Sequence, residues 1–320
     1  MASKSKIYTV LILVVIGLVF LGMGCAGKNN ESSPSTSTNT SSVGAPVQEA
    51  TATVTSQGST ATAASQSISV TGSDTILPLA QAEAEEFMNE SSNAGKSISV
   101  TGGGSGVGIA ALIDGKTDIA DASREITITE LKNANDKGVN PVNTTIAYDG
   151  ITVIVNPTNK ISNLTFTQLR GIFNGSISNW KDVGGDDKVI LLDTRDSSSG
   201  TYKDFQTLAM QGDNYSVNAH AQATTGGIVQ EVAQNPNAIG YIGFAYLKDS
   251  NTKALGLDKG NGPVSPTPET ILSREYPLSR ALYMYTNGEP SGLTKEFIDY
   301  ILSDQGQKVV NTVGYIPLKK

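Results

Sequence analysis

The 320-residue chain has one cysteine, one histidine and one tryptophan. A single cysteine, Cys25, excludes an intrachain disulfide. One cysteine and one histidine leave a transition-metal site without its usual ligands, and neither metal nor cofactor is expected. A Ser-His-Asp hydrolase would have to take His220 as its base. His220 lies in a polar stretch that reads as an exposed loop or helix. Positive charge is also scarce: 23 Lys and Arg face 30 Asp and Glu, for a net charge of −7 and a pI near 4.8. Such a balance argues against nucleic acid or an acidic membrane surface as the main partner. The only arginines are Arg124, Arg170, Arg195, Arg274 and Arg280.

Long apolar runs are absent after the N-terminus. Lys4 and Lys6 precede an apolar stretch over residues 7–23, which ends at Gly24-Cys25. A basic start, an apolar middle and a small residue before Cys25 read as an export signal over residues 1–25. Cys25 then stands where a lipoprotein carries its lipidated first residue. The other reading of the stretch is a retained transmembrane anchor, for which it is nearly long enough. Both readings anchor the chain to the cell membrane on its extracytoplasmic side, in a periplasm or at a cell surface. Residues 26–66 are dominated by Ser, Thr, Ala, Gly and Gln. They cannot bury enough apolar surface to offset their ordering entropy, and a disordered tether is expected.

The rest alternates short apolar runs with amphipathic ones. Ser-Ile-Ser-Val-Thr-Gly occurs twice, at 67–72 and 97–102. Each copy alternates like a strand, then enters a Gly/Ser turn and a helical pattern. One helix is expected over 75–90, with Pro78 tolerated in its first turn. A second carries Ile109, Leu112 and Ile113. Further strands are expected at 118–120, 144–155, 189–192, 238–242 and 281–285. Helices are expected at 164–173, after Thr201, and twice near the C-terminus, with 249–268 read as loop. Repeated strand–loop–helix units favour an α/β fold with a largely parallel sheet and loops gathered at strand ends.

Three of those loops share one chemistry: 71–75 (Thr-Gly-Ser-Asp-Thr), 102–106 (Gly-Gly-Gly-Ser-Gly) and 195–201 (Arg-Asp-Ser-Ser-Ser-Gly-Thr). Glycine lets backbone N–H groups approach a ligand, Ser and Thr add O–H donors, and a helix start adds free N–H groups with partial positive charge. That combination suits a small oxyanion, to which Arg195 brings full charge and a planar fork of donors. Residues 110–117 approximate a nucleotide P-loop, but a helix precedes them and a strand follows, the reverse of what that motif needs. Ser105 has no nucleophile-elbow context.

At these loops the chain resembles the phosphate-binding proteins of ABC phosphate importers, over about residues 67–320. The motifs are Thr-Gly-Ser-x-Thr, Gly-Gly-Gly-Ser-Gly before a helix, Asp118-Ile119-Ala120 leading to Ala122-Ser123-Arg124, and Arg195-x-x-x-Ser199-Gly200-Thr201. Phe173-Asn174-Gly175 with Trp180, Ala238-Ile239-Gly240-Tyr241 and Gly314-Tyr315-Ile316-Pro317 follow. The resemblance implies a two-lobed periplasmic-binding-protein-like (type II) fold, each lobe a sheet flanked by helices. Lobe 1 would comprise 67–149 plus 280–320 and lobe 2 residues 150–279, joined by two extended crossovers near 147–152 and 276–280. It implies a monomeric receptor, not an enzyme, that delivers inorganic phosphate to membrane permease subunits. Phosphate contacts would come from Ser73, Thr75, the N–H of Ile76, Ser105, Arg124, Arg195, Ser199, Gly200 and Thr201. Some members carry an aspartate where this chain has Arg124, which cannot accept a hydrogen bond from a phosphate O–H. Asp74 is a replacement acceptor, or else a helix N-cap. With two fixed positive charges in the cleft, a preference for the phosphate dianion is expected. Competing readings are a receptor for sulfate, tungstate or molybdate, and a phosphate-ester hydrolase.

Overall fold

The computed structural model describes residues 66–248 and 250–318. The expected signal, the lipidation site Cys25 and all of the expected tether except Gln66 lie outside the described residues. Among these residues no helix is long and apolar enough to cross a membrane.

The first part of the chain forms β1 (Ser67–Gly72), α1 (Leu77–Asn89), β2 (Ser97–Thr101), α2 (Ser105–Ile113), β3 (Ile119–Ala122), α3 (Ile128–Asp136) and the long β4 (Pro141–Val155). The middle forms β5 (Asn163–Thr165), α4 (Phe166–Asn174), β6 (Leu191–Arg195), α5 (Gly200–Leu208), β7 (His220–Gln222), α6 (Thr225–Gln234) and β8 (Ala238–Gly243). Next come the short β9 (Lys253–Ala254), β10 (Gly256–Asp258), β11 (Pro263–Val264) and α7 (Pro268–Leu272). The chain ends in β12 (Ser279–Asn287), α8 (Gly292–Leu302) and α9 (Asp304–Val313).

The main sheet runs β2-β1-β3-β12-β4-β8-β6-β7, with β9 beside β4. Its wings are parallel: β1 pairs in parallel with β2 and β3, and β6 with β7 and β8. The centre is antiparallel, because β12 returns along β3 and β4, and β8 runs against β4. The parallel expectation therefore holds only for the wings, where helical crossovers force it. Residues 249–268 hold three short strands rather than loop alone, since β10 pairs with β5 and β11 in a separate sheet. Val189 is 71% exposed and precedes the strand that it was expected to open. His220 sits on a strand, not in a loop or helix.

Helix starts follow local chemistry. Thr127 and Thr165 each close a capping box, with Glu130 and Gln168 three residues on. The apolar side chains fall into two large cores. One gathers Val70, Leu79, Phe87, Ile146, Leu282 and Phe297. The other gathers Ile151, Val153, Phe173, Trp180, Phe205 and Tyr241. β4 feeds both, Ile146 and Ala147 to the first and Ile151 and Val153 to the second. The three Gly/Ser loops lie at the ends of β1, β2 and β6.

Candidate functional site

The first loop leaves β1 at Gly72, where an added Cβ would stand 2.1 Å from the Asp121 carbonyl oxygen. Only glycine permits that approach, and it lets the Ser73 N–H donate to Asp121 Oδ1 at 2.5 Å. The N–H groups of Ile76 and Leu77 both donate to the Ser73 carbonyl at 3.0 Å. The expected Ile76 N–H donor is thus already engaged within its own turn. Asp74 is not the cap of α1: the capping position is Ile76, with no side-chain bond. Asp74 Oδ2 instead accepts from Arg195 Nη2 at 2.7 Å, and its Oδ1 accepts from the Gly103 N–H at 3.3 Å.

The second loop touches the third directly. The Gly106 N–H donates to the Ser198 carbonyl at 3.0 Å, and Ser198 Oγ donates to the Gly103 carbonyl at 3.2 Å. Ser105 is fully buried. Its Oγ accepts from the Ser123 N–H at 3.1 Å and lies 3.4 Å from Ser123 Oγ. Gly200 covers this pair so closely that an added Cβ would stand 2.3 Å from Ser105 Oγ and 2.6 Å from Ser123 Oγ. Ser199 caps α5 by accepting from the Tyr202 N–H at 3.3 Å. The first N–H groups of α5 have no acceptor within the helix and carry its positive end. Thr201 Oγ1 meets Thr75 Oγ1 at 2.8 Å, which joins the first and third loops.

Arg195 is 2% exposed and nearly saturated. Its Nε donates to the Gln222 carbonyl, Nη1 to Thr225 Oγ1, and Nη2 to both Asp74 and the Ala223 carbonyl. One Nη1 hydrogen is left. Its backbone is held by Tyr241, whose hydroxyl accepts from the Arg195 N–H at 3.3 Å and lies 2.7 Å from Thr194 Oγ1. Arg124 is also paired, through a bidentate contact with Glu130 at 2.7 Å for both bonds, but its Nε is left without a partner. The premise of two fixed positive charges in the cleft is therefore corrected. Glu130 neutralises Arg124 and Asp74 neutralises Arg195, so charge alone does not demand a dianion.

Sequence reasoning missed two groups. Arg280, 9% exposed on β12, donates through Nε and Nη2 to Asp149 Oδ2 at 3.0 and 2.8 Å, and through Nη2 to Thr201 Oγ1 at 3.0 Å. Its Nη1 is buried without a hydrogen-bond partner. Its rarity in an acidic chain was the available signal; no Gly/Ser loop surrounds it. Asp121 is the second. Burial, helped by the charge of Asp74, pushes its carboxyl up to about 8, and its Oδ2 is buried with no partner. A buried carboxyl with a strengthened hold on its proton therefore lies against the Ser73 N–H.

The result is a buried cluster of hydroxyls, helix-end N–H groups and guanidiniums, drawn from distant parts of the chain. The donors it has free for a small oxyanion include the first N–H groups of α5, one Arg195 Nη1 hydrogen and Arg280 Nη1. It has no nucleophile paired with a base: the neighbours of Ser105 Oγ are Ser123 and Gly200, and His220 is exposed on β7. Among the described residues no group of His, Cys, Asp and Glu is arranged to hold a metal.

Residues 50–305 match the family model described as the PBP superfamily domain, and the chain belongs to that superfamily. Within it the chain is a member of the PstS family of phosphate-binding proteins. It is 34% identical over 234 residues to the phosphate-binding protein PstS of Bacillus subtilis, covering 73% of this chain and 74% of that one. To the PstS of Borreliella burgdorferi it is 36% identical over 228 residues, 68% of this chain and 78% of the other. Among solved structures it is similar to a phosphate ABC transporter substrate-binding protein from Clostridium perfringens with bound phosphate. That likeness has a TM-score of 0.71 at 35% identity and covers 79% of this chain and all of the other. An ABC-type phosphate transport receptor from Vibrio cholerae gives 0.64 at 32% identity, covering 78% of this chain and 99% of that one.

Proposed function

We propose that this chain captures inorganic phosphate outside the cytoplasmic membrane and hands it to the permease of an ABC importer. The observation that carries this is the buried cluster in which Thr75, Ser105, Ser123, Ser199, Thr201 and Arg280 converge, built from the three loops and the return strand. Relatives named as phosphate-binding proteins support the choice of anion. The chain acts as a monomeric binding protein and not as an enzyme, in keeping with a site that has donors but no activated nucleophile. Residues 67–149 with 280–320 form one lobe and 150–279 the other, each with its own core, hinged at β4 and β12. The contacts between Gly106 and Ser198 and between Thr75 and Thr201 belong to the closed arrangement. Cys25 or the apolar run before it holds the protein at the membrane, and residues 26–66 serve as a tether.

Calorimetric titration with phosphate, sulfate and molybdate tests the reading. Phosphate is expected to bind with a Kd of about 1 μM or tighter, equivalent to about −8 kcal/mol. Sulfate or molybdate binding more tightly than phosphate would overturn it. Closure of the lobes predicts a smaller radius of gyration with phosphate in small-angle scattering. A shortened chain that begins at Gln66 should bind phosphate as well as the whole chain does. A tenfold loss of affinity on shortening would place part of residues 26–65 in the binding reaction.

A further inference from the structure

A cavity of about 480 Å3 opens between α5 and β12, in the size range of small-molecule sites. Four cationic side chains line it: Arg124, Lys203, Arg274 and Arg280. Only two carboxylates, Glu125 and Asp204, stand among them. Three of the five arginines in a chain of net charge −7 thus meet at one cavity. Two of them hold unused donors. Arg280 Nη1 and Arg124 Nε are buried, and neither has a hydrogen-bond partner. Asp204 Oδ2 lies 3.6 Å from Arg280 Nη1. Lys203 and Arg274 are exposed and make no ion pair among the described residues; Lys203 lies over the Tyr202 ring at 5.4 Å.

Arg280 belongs to both places. Its Nη2 is bonded to Thr201 in the inner cluster, while the residue also lines the cavity. Glu130 and Asp149 pair with Arg124 and Arg280, so the pull on an anion comes from the two exposed cations at the mouth and from the two unused buried donors. In an acidic protein this matters more, because the remaining surface repels an anion.

We propose that this cavity is an outer anion site, which receives a phosphoryl oxyanion and passes it to the inner cluster along Arg280. The proposal rests on the phosphate reading above. Lys203 and Arg274 form the mouth, Arg124 and Arg280 form the wall, and Asp204 is the charge that the incoming anion displaces from Arg280. Orthophosphate in transit and the second phosphoryl group of a condensed phosphate share this chemistry.

The test uses the full chain and follows intrinsic tyrosine fluorescence after rapid mixing with orthophosphate, since Tyr148 and Tyr283 line the cavity. Lys203→Ala/Arg274→Ala is expected to slow association about tenfold at low salt, a difference that disappears at high salt. Asp204→Asn is expected to speed association by a factor of about three, because the competing charge is gone. Unchanged association in the double variant at low salt overturns the outer site. Slower association in Asp204→Asn also overturns it, by making Asp204 a structural partner of Arg280. A parallel series with pyrophosphate separates the two sources. Weaker pyrophosphate binding in the double variant, at unchanged salt, identifies a condensed phosphate spanning both sites; an effect confined to orthophosphate association identifies transit. If the unaltered protein binds no phosphate at all, the function itself fails rather than the outer site.

Discussion

Arg195→Ala is expected to weaken phosphate binding more than Ser105→Ala does, because the third loop loses its anchor, and to lower stability by about 3–5 kcal/mol. The stability loss follows from breaking a buried ion pair by removing one partner, which leaves the other charge without compensation. Here the stranded group is Asp74, whose Oδ2 accepts from Arg195 Nη2 at 2.7 Å. The same substitution also frees the Gln222 and Ala223 carbonyls and Thr225, all of which Arg195 ties to the third loop. Ser105→Ala removes one neutral hydroxyl from the site. It should cost about 1 kcal/mol, or roughly a fivefold to tenfold loss of affinity. Arg195→Ala/Asp74→Ala separates the two consequences, because it removes the stranded carboxylate as well. Chemical denaturation should show that the double variant recovers stability, and calorimetry should show that it does not recover binding. Equal affinity losses for Arg195→Ala and Ser105→Ala would remove Arg195 from the anion site.

Glu83→Met should stabilise the protein by about 3 kcal/mol at pH 7, with a gain that grows as pH rises. Glu83 is fully buried on α1, its neighbour Glu86 adds to the effect of burial, and neither carboxyl oxygen has a hydrogen-bond partner. Burial pushes its carboxyl from 4.5 up to about 9. A carboxyl with a raised folded value binds a proton more tightly folded than unfolded. Its contribution is therefore complete below about pH 4.5 and is lost as pH rises through about 9. At 1.36 kcal/mol per pH unit, the 2.5 units between 4.5 and 7 amount to about 3 kcal/mol. Methionine fills a similar volume with no charge to bury, so the variant escapes this slope. Urea denaturation at pH 5, 7 and 8.5 provides the check. A difference between variant and parent that does not change with pH would show Glu83 to be ionised and solvated in the folded state.

The sequence by itself settled the periodic elements and the chemistry of the loops. Alternation at 67–72 and 97–102 became β1 and β2, and helical spacing placed Ile109, Leu112 and Ile113 on the buried face of α2. Pro78 fell in the first turn of α1, where its missing N–H costs nothing. The Gly/Ser loops were legible because close backbone approach requires glycine, as at Gly72 and Gly200. Local pattern has no access to pairing between distant segments. That β12 returns antiparallel to β4, and so makes the sheet centre antiparallel, depends on contacts more than a hundred residues apart. For the same reason the sequence picked out Arg124 and Arg195 but could not see Glu130 and Asp74 beside them, which reverse the expectation of unpaired charge. Arg280 gave no local sign, because its role depends on Thr201 and Asp149, which only the fold brings to it. Composition and spacing decide which groups are available to bind an anion; tertiary packing decides which of their donors remain free, because each buried N–H and carboxylate takes the nearest partner that the fold provides.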